Sequence, residues 1–446
     1  MTKVLRFPFV KAKLEPLTGH ATFIEPIISI PKSIVITSLV TKLISSPKLD
    51  APPPSLTNQR TGPAGLRIDN GITGRVLAIF MASDGNKRVR VKLGERSYDI
   101  LIGRGLLQHA ATFFQAAKLG KRGVVITDST VAPLYAGKLA KALNAGGIAV
   151  TIVTIPAGES SKSLRQTNRL LEKMPRLGLD RHSFVVGLGG GVAGDLAGFV
   201  AGTYLRGLAF VQIPTTLLAQ VDSSVGGKTG VNLPQGKNLV GVFHQPRLVL
   251  ADISLLTTLP ERELRAGFAE VIKTAAIADA RFFGWLEKNY RRVLRCEPAA
   301  LAETVRRCCE IKAAVVGADE REGGRRAILN FGHTIGHAME ALADYSGLLH
   351  GEAIAVGMNC AARLSVRHAG LSAATATRIV NLCQASGLPV RLGTTYGLPA
   401  LQAAMRLDKK AISGSLRFVL LRRLGQAVVR DAVTNTDIEE VINECR

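Results

Sequence analysis

The residue types best suited to catalysis lie in two short stretches of the second half of this chain. His333, His337 and His350, three of its eight histidines, fall within 18 residues of one another. Glu270 and Lys273 occur about sixty residues before the first of them. Imidazole and carboxylate groups together are the ligands that zinc and similar divalent metals prefer in proteins. The pattern therefore predicts a catalytic metal site.

Two sets of ligands fit this pattern. Glu270, His333 and His350 would supply one oxygen and two nitrogens and would leave a coordination position open for water or substrate. Alternatively, His333 and His337 are four residues apart and would share one face of a helix, which makes them the natural pair by spacing. The spacing alone leaves both sets open.

A glycine-rich turn follows the apolar residues 184–188 and precedes a helical pattern. Gly189, Gly191 and Gly194 fit the fingerprint in which the backbone approaches a dinucleotide pyrophosphate at a helix N-terminus. A tight turn that packs glycine against a neighbouring strand would give the same pattern. The turn also comes later in the series of strands than in the standard Rossmann order. By itself it is only a weak indication of a nucleotide site.

Polar loops follow the neighbouring strand candidates. Residues 156–162 offer a carboxylate for ribose hydroxyls and a lysine, and residues 214–216 and 222–229 add hydroxyls and a further lysine. Each could be a solvated loop. Because open α/β sheets bind ligands beyond the carboxyl ends of their strands, we expect these loops to cluster around an anionic ligand.

The elements that would position these residues alternate between strands and helices. Predicted strands cover residues 88–93, 97–102, 124–127, 150–155, 184–188, 209–213 and 248–251. Predicted helices cover residues 134–143, 164–174, 192–205, 261–278 and 299–316. This order predicts an α/β fold class, with a mostly parallel, Rossmann-like nucleotide-binding domain over residues 81–260. An all-α metal- and substrate-binding domain is expected over residues 261–446.

The first 80 residues differ from the rest. They contain nine of the 19 prolines and ten Lys/Arg against four Asp/Glu, without sustained amphipathic periodicity. Such a segment buries too little apolar surface to offset its ordering entropy. We expect residues 1–80 to be a disordered or non-native extension, with Met81 as an alternative start, or a targeting segment.

Composition excludes several classes of protein. The net charge of +23 is carried by scattered basic residues without interleaved aromatic side chains, so we expect a small anionic substrate and no nucleic acid. No apolar run reaches the roughly 18 residues that a membrane helix needs, so no membrane association is expected. The six cysteines lack paired spacing, which predicts reduced thiols and a cytoplasmic location.

Several long motifs resemble the 3-dehydroquinate synthase family. They occupy residues 95–98, 189–192, 220–229, 269–273 and 330–337. The resemblance extends from about residue 88 to residue 446. It implies a shikimate-pathway lyase that converts 3-deoxy-D-arabino-heptulosonate 7-phosphate into 3-dehydroquinate and phosphate.

In this family, bound NAD oxidises a substrate hydroxyl, which acidifies the neighbouring proton and allows phosphate to leave. The hydride then returns, and ring opening with an intramolecular aldol closure completes the carbocycle without net redox change. The resemblance further implies one divalent metal ion, zinc or cobalt, and a homodimer.

The resemblance also assigns site residues. It gives the metal to Glu270, His333 and His350. It implies catalytic or substrate contacts for Arg206, Asp222, Lys228, Asn238, Lys273, Lys312, Arg326, Asn330, His337 and Lys409, with Lys410 as the alternative to Lys409. It implies contacts with NAD for Asp128, Glu159, Lys162, Gly191, Gly194, Asp195, Thr215, Thr216, Lys228 and Lys237.

Two other activities share part of this pattern. A metal-dependent polyol or alcohol dehydrogenase would have the same build, but it would carry out net redox chemistry and would not need so many phosphate-binding cations. Another sugar-phosphate cyclase would change the residues that read the substrate carboxylate. Lys312, Arg326, Asn330 and His337 instead match the dehydroquinate enzyme.

Overall fold

The computed structural model describes Phe80 and residues 85–343, 347–393, 396–408, 416–431 and 433–446. These residues belong to one compact unit. The predictions for the extension before Phe80, for Met81 as a start and for Lys409 and Lys410 lie outside the described residues. The predicted domain boundary near residue 260 stays a prediction. No helix in the described part of the chain is both long and apolar enough to span a bilayer.

Nine strands lie in the first half of the described chain. They are β1 Lys87–Val91, β2 Tyr98–Gly103, β3 Arg122–Asp128, β4 Ala149–Ile155, β5 Phe184–Gly189, β6 Ala209–Pro214, β7 Lys228–Leu233, β8 Gly236–Phe243 and β9 Leu248–Asp252. Seven of them form one sheet in the order β1-β2-β9-β6-β5-β3-β4. β1 and β2 pair antiparallel as a hairpin, and the remaining neighbours are parallel. The predicted, mostly parallel sheet is confirmed.

Four helices cross over between these strands. They are α1 Ala110–Ala116, α2 Gly137–Ala145, α3 Leu164–Arg176 and α4 Gly191–Thr203. They cover the sheet, and every residue of β5 is buried. A strand covered on both faces reads as a continuous apolar run, which is why residues 184–188 could be recognised from the sequence. α4 ends where Leu205 and Arg206 adopt positive φ angles of 49° and 66°.

The second half is helical. Its helices are α5 Glu261–Ala278, α6 Ala280–Leu294, α7 Pro298–Ala318, α8 His333–Leu342, α9 His350–His368, α10 Ala373–Ala385, α11 Leu398–Asp408 and α12 Asn435–Glu444. The fold class is therefore confirmed, with one correction to the all-α description. β10 Phe418–Arg423 and β11 Gln426–Arg430 form an antiparallel hairpin. Only the first four residues of β10 are buried, so the alternation that identifies a strand is missing.

A second correction concerns the loops predicted around Lys228 and Lys237. These lysines lie on β7 and β8, which pair antiparallel and form a two-stranded sheet of their own. Glycines hide this hairpin in the sequence, because Gly230 and Gly241 face each other where the two strands meet. A Cβ atom at Gly230 would lie 2.5 Å from the carbonyl oxygen of Val240. The close approach needs glycine and removes the side chains that would signal a strand.

Close contacts between helices bring the histidines together. A Cβ atom at Gly357 on α9 would lie 2.0 Å from the carbonyl oxygen of Gly332, immediately before α8. A Cβ atom at Gly351 would lie 1.8 Å from the carbonyl oxygen of Ala266 on α5. Glycine is therefore required at both positions. As a result the first turns of α8 and α9 lie against each other and against α5.

Candidate active site

Glu270 is the centre of the site. It lies in the middle of α5, is completely buried, and forms an ion pair with Lys273 one helical turn later. Neither of its carboxylate oxygens has a hydrogen-bond partner with good geometry among the described residues. A buried carboxylate of this kind is costly unless cations compensate it. The surroundings of Glu270 therefore require positive charge.

Two histidines face the same carboxylate. Oε1 of Glu270 lies 3.8 Å from Nε2 of His333 and 3.5 Å from Nε2 of His350. Ligand atoms of these three residues all lie within 4.8 Å of one another. One oxygen and two imidazole nitrogens suit zinc or cobalt, and Oε1 of Glu270, which faces both histidines without a hydrogen bond, is available as a ligand. The residues present fit a divalent metal ion.

Local backbone geometry places both histidines. His333 is the first residue of α8 and His350 is the first residue of α9. Gly332 precedes α8 with a φ of 81°, and a Cβ atom there would lie 2.8 Å from the backbone nitrogen of Met358. The left-handed turn and the close contact both require glycine. This glycine gives His333 its direction toward Glu270.

The charges of the three side chains depend on one another. Burial raises the pKa of Glu270, but the opposite effect of Lys273 and the two histidines is larger, so the pKa lies well below its usual value. Burial and Lys273 hold the pKa of His333 well below its usual value. Burial also lowers the pKa of His350, but the nearby carboxylates of Glu270 and Glu340 outweigh it and raise that pKa to about 10. A divalent cation would supply the same positive charge beside Glu270.

The alternative ligand His337 lies near the same place. Its ring centroid is 5.0 Å from that of His333 and 6.0 Å from that of His350. His337, Glu340 and His350 form a second group with closely spaced ligand atoms. Glu340, however, already accepts hydrogen bonds from Lys237 and His350. Oε1 of Glu270, by contrast, has no hydrogen-bond partner among the described residues.

A second ion pair lies close to the first. Nζ of Lys312 donates to Oδ1 of Asp222 at 2.6 Å and to its backbone oxygen at 2.5 Å. Burial raises the pKa of Asp222, but Lys312 and Lys273 outweigh it, so the carboxylate stays ionised. Burial lowers the pKa of Lys312, against the opposite effect of Asp222. Acidic and basic side chains therefore alternate through the interior of the site.

Arg326 is a further buried cation of the site, with 3% of its surface exposed. Its guanidinium donates to the backbone oxygens of Glu320 at 2.6 Å and Gly226 at 3.3 Å. The hydroxyl of Tyr98 accepts from the backbone nitrogen of Gly226 at 3.1 Å. Tyr98 was not predicted as a site residue. Because it sits in the motif at residues 95–98, that motif was the signal that could have identified it.

Glu322 is another residue that sequence analysis missed. It forms an ion pair with Lys228, and its Oε1 lies 3.5 Å from Nδ2 of Asn330. Glu322 thus joins two predicted substrate residues, one on β7 and one just before α8. Its sequence context, a polar loop with several charges, gave no signal of this role.

Four predicted residues converge beside the β7–β8 hairpin. Nζ of Lys162 lies 2.5 Å from both Oδ2 of Asp195 and Oδ1 of Asn238. Glu159 accepts a hydrogen bond from Asn232 at 2.7 Å. Burial raises the pKa of Asp195, against the effect of Lys162. The structure thus links the two loops predicted to contact the cofactor.

The glycine-rich turn leads from β5 into α4. The alternative of close packing applies to Gly194, where a Cβ atom would lie 2.6 Å from Oε1 of Gln212 on β6. At Gly191 a Cβ atom would reach no closer than 3.4 Å to Ser223, and no side chain caps the N-terminus of α4. The free backbone N–H groups there suit a phosphate.

The other predicted cofactor residues surround this turn. Oδ1 of Asp128 accepts from the backbone nitrogens of Thr130 and Val131. Thr215 is buried, and its hydroxyl has no partner among the described residues. Thr216 accepts from the backbone nitrogen of Ala219 at 3.1 Å. The unpartnered hydroxyl and the uncapped helix fit a bound dinucleotide.

Two predicted residues are placed differently. Arg206 is exposed just beyond the end of α4, and within the described part of the chain it has no contact with Glu270 or the histidines. Lys237, predicted to contact the cofactor, has its Nζ 2.9 Å from Oε1 of Glu340. This contact places Lys237 beside the histidines.

The chain matches two family models. They are the 3-dehydroquinate synthase N-terminal model over residues 152–266 and the 3-dehydroquinate synthase C-terminal model over residues 267–411. The chain is also similar to a 3-dehydroquinate synthase of Desulforamulus reducens, with 51% identity over 356 residues, or 80% of this chain and 99% of the relative.

Solved structures of sugar-phosphate cyclases are also similar to it. A 2-epi-5-epi-valiolone synthase from Streptomyces hygroscopicus, with NAD+ and Zn2+ bound, is 32% identical with a TM-score of 0.73, covering 79% of this chain and 98% of that one. A 2-deoxy-scyllo-inosose synthase, in complex with carbaglucose-6-phosphate, NAD+ and Co2+, is 29% identical with a TM-score of 0.74, covering 81% and 100%.

Two substitutions distinguish the two possible ligand sets. We expect His350→Ala to lose its bound zinc or cobalt, because one of the three ligands Glu270, His333 and His350 would be missing. His337→Ala should retain about one ion per chain. Elemental analysis after gel filtration measures both. Loss of metal from His337→Ala with retention by His350→Ala would contradict the assignment to Glu270, His333 and His350.

Proposed function

The chain belongs to the 3-dehydroquinate synthase family, and on this premise we propose that it converts 3-deoxy-D-arabino-heptulosonate 7-phosphate into 3-dehydroquinate and phosphate. NAD and one divalent metal ion serve as its cofactors. The observation that carries the proposal is the buried Glu270, with two histidines on one side and the cations Lys273, Lys312 and Arg326 nearby. The charges suit a metal ion together with a substrate that bears phosphate and carboxylate groups.

Glu270, His333 and His350 would hold the metal. When bound, the metal polarises a substrate hydroxyl, while NAD takes up a hydride and later returns it. Lys273 keeps Glu270 ionised by direct pairing, so the carboxylate is ready to act as a ligand. His333, whose pKa is lowered by burial and Lys273, offers a neutral imidazole at neutral pH.

Other cations would bind the anionic groups of the substrate. Lys312 and Arg326 are held by Asp222 and by backbone oxygens, so their positions are fixed before the substrate arrives. Preorganised cations stabilise negative charge more effectively than mobile ones, because they need no reorganisation during the reaction. Asp222 would keep Lys312 in place and remain available to a substrate hydroxyl.

Three more residues complete the substrate site in this proposal. Lys228 and Asn330 share Glu322 as a partner, which would hold both near the mouth of the site. His337, beside His333, would contact the phosphate or carry a proton. Arg206 and Lys409 keep their roles as predictions from the family resemblance.

NAD would lie over the glycine-rich turn. Its pyrophosphate would approach Gly191 at the N-terminus of α4, where a Cβ atom would crowd the ligand. Asp128 and Glu159 would serve ribose hydroxyls, while Thr215 and Thr216 would contact the nucleotide from the end of β6. Lys162 and Asp195 would close the site from the hairpin side, with Lys162 contacting both Asp195 and Asn238.

A homodimer is also proposed. The resemblance implies it, and the β7–β8 hairpin supports it, because Leu239 and Phe243 on β8 expose 58% and 46% of their surface. Large exposed apolar side chains on an edge strand are typical of an interface. Sedimentation equilibrium should give twice the chain mass. A monomer mass at micromolar concentration would contradict the dimer.

The proposed reaction releases phosphate without net redox change. Purified protein with NAD and a divalent metal should therefore release phosphate from the heptulosonate phosphate while absorbance at the NADH wavelength shows no steady rise. Lys273→Met should lower the rate roughly 100-fold, because it removes a fixed cation of the site. Lys288→Met changes an exposed lysine on α6 and serves as the matched control.

The dehydrogenase alternative gives the opposite result. Steady formation of NADH from a polyol, without release of phosphate from the heptulosonate phosphate, would contradict the proposed reaction. An equal loss of rate in Lys273→Met and Lys288→Met would remove the argument for the cation cluster.

A further inference from the structure

Glu340 has a buried carboxylate and is not among the predicted site residues. It lies on α8, seven residues after His333, and only 4% of its side chain is exposed. Its two oxygens have different partners. Oε1 lies 2.9 Å from Nζ of Lys237, and Oε2 lies 3.0 Å from Nδ1 of His350. Glu340 therefore connects a lysine of the β7–β8 hairpin with a histidine of the metal site.

The contact with His350 decides what its ring can do. Nδ1 faces Glu340, while Nε2 lies 3.5 Å from Oε1 of Glu270. When Nδ1–H donates to a carboxylate, the lone pair of a neutral imidazole must be on Nε2, which then can bind a metal. Such an outer carboxylate also makes the ligand more basic. Glu340 thus acts on the side of His350 that is opposite to Glu270.

Both oxygens of the buried Glu340 carboxylate have a nitrogen partner, Lys237 at one and His350 at the other. Lys237 on β8 compensates the negative charge of Glu340. The residue after Lys237, Asn238, contacts Lys162. The same short strand therefore contacts both the metal side and the proposed cofactor side of the site.

We propose that Glu340 is a positioning residue that fixes the tautomer and orientation of His350 for metal binding, and that Lys237 holds Glu340 in place. The inference rests on the proposed function of Glu270, His333 and His350 as metal ligands. Glu340 acts through His350 and makes no contact with the metal itself. Since both of its oxygens already have partners, it is not a ligand in a second site with His337.

The experiment measures metal affinity directly. Glu340→Ala, Glu340→Gln and Lys237→Met are compared with the wild type by competition for Co2+ with a chromophoric chelator, and the visible spectrum of the bound cobalt is recorded. Outer carboxylates of this kind change metal affinity by about 10- to 100-fold. We expect a loss of this size for Glu340→Ala and a changed cobalt spectrum.

The conservative variants separate orientation from charge. The amide oxygen of Glu340→Gln can still accept from Nδ1 of His350, so this variant should lose less affinity than Glu340→Ala. Lys237→Met should fall between the wild type and Glu340→Ala, because Glu340 would keep its charge but lose one anchor.

Asp252→Asn is the matched control for loss of stability. Asp252 is buried, with 1% of its surface exposed, and its carboxylate accepts from the backbone nitrogens of Gly105, Leu107 and Ser254. This variant should lower the melting temperature while leaving the dissociation constant for Co2+ within about twofold of the wild-type value. A purely structural role of Glu340 would give the same behaviour as this control.

Four results would overturn the proposal. Affinities of Glu340→Ala and Glu340→Gln within twofold of wild type would remove the role of Glu340, and if Glu340→Ala does not fold, Glu340→Gln decides. An unchanged affinity of Lys237→Met would remove the role of Lys237. Two ions per wild-type chain would make Glu340 a ligand. A wild type that binds no divalent ion would overturn the proposed ligand set as well.

Discussion

The buried carboxylate of Glu270 is the constraint on which the rest of the site depends. Removing a carboxylate from water costs several kcal/mol even after a protein has relaxed around it, so cations must be held nearby. Lys273 is supplied by the same helix, and His333 and His350 come from the first residues of α8 and α9. Because α5, α8 and α9 are far apart in sequence, only the folded chain brings the two histidines to the carboxylate. Metal binding and folding of the helical part are therefore linked.

Glycine provides the space for this arrangement. Gly332, Gly351 and Gly357 lie where the backbones of α5, α8 and α9 come too close for a Cβ atom. Side chains at these positions would separate the helices and move the histidines away from Glu270. Close packing of this kind tolerates little change in volume, since protein interiors are packed as densely as organic crystals. The same glycines that stabilise the helix contacts thus determine the spacing of the ligands.

Much of the fold and of the metal site could be predicted from residue types and periodicity. The strands at residues 184–188 and 209–213 were recognisable as apolar runs, and Glu270, His333 and His350 were one of two ligand sets. Glu340 and Glu322 could not be found in this way, because their importance comes from contacts with distant residues such as Lys237 and Lys228. The β7–β8 hairpin escaped detection since glycines replace the side chains that mark a strand. Gly194 fitted a nucleotide fingerprint, but its place against Gln212 also gives it a packing role.

The central claim is that one carboxylate and two imidazoles bind the metal, and X-ray absorption spectroscopy of the cobalt protein tests it most directly. Imidazole rings give characteristic scattering from their outer atoms, so the number of bound histidines can be counted. We expect two imidazoles, oxygen donors for the remaining ligands, and the same spectrum in His337→Ala. Three imidazoles, or any sulfur ligand, would contradict it.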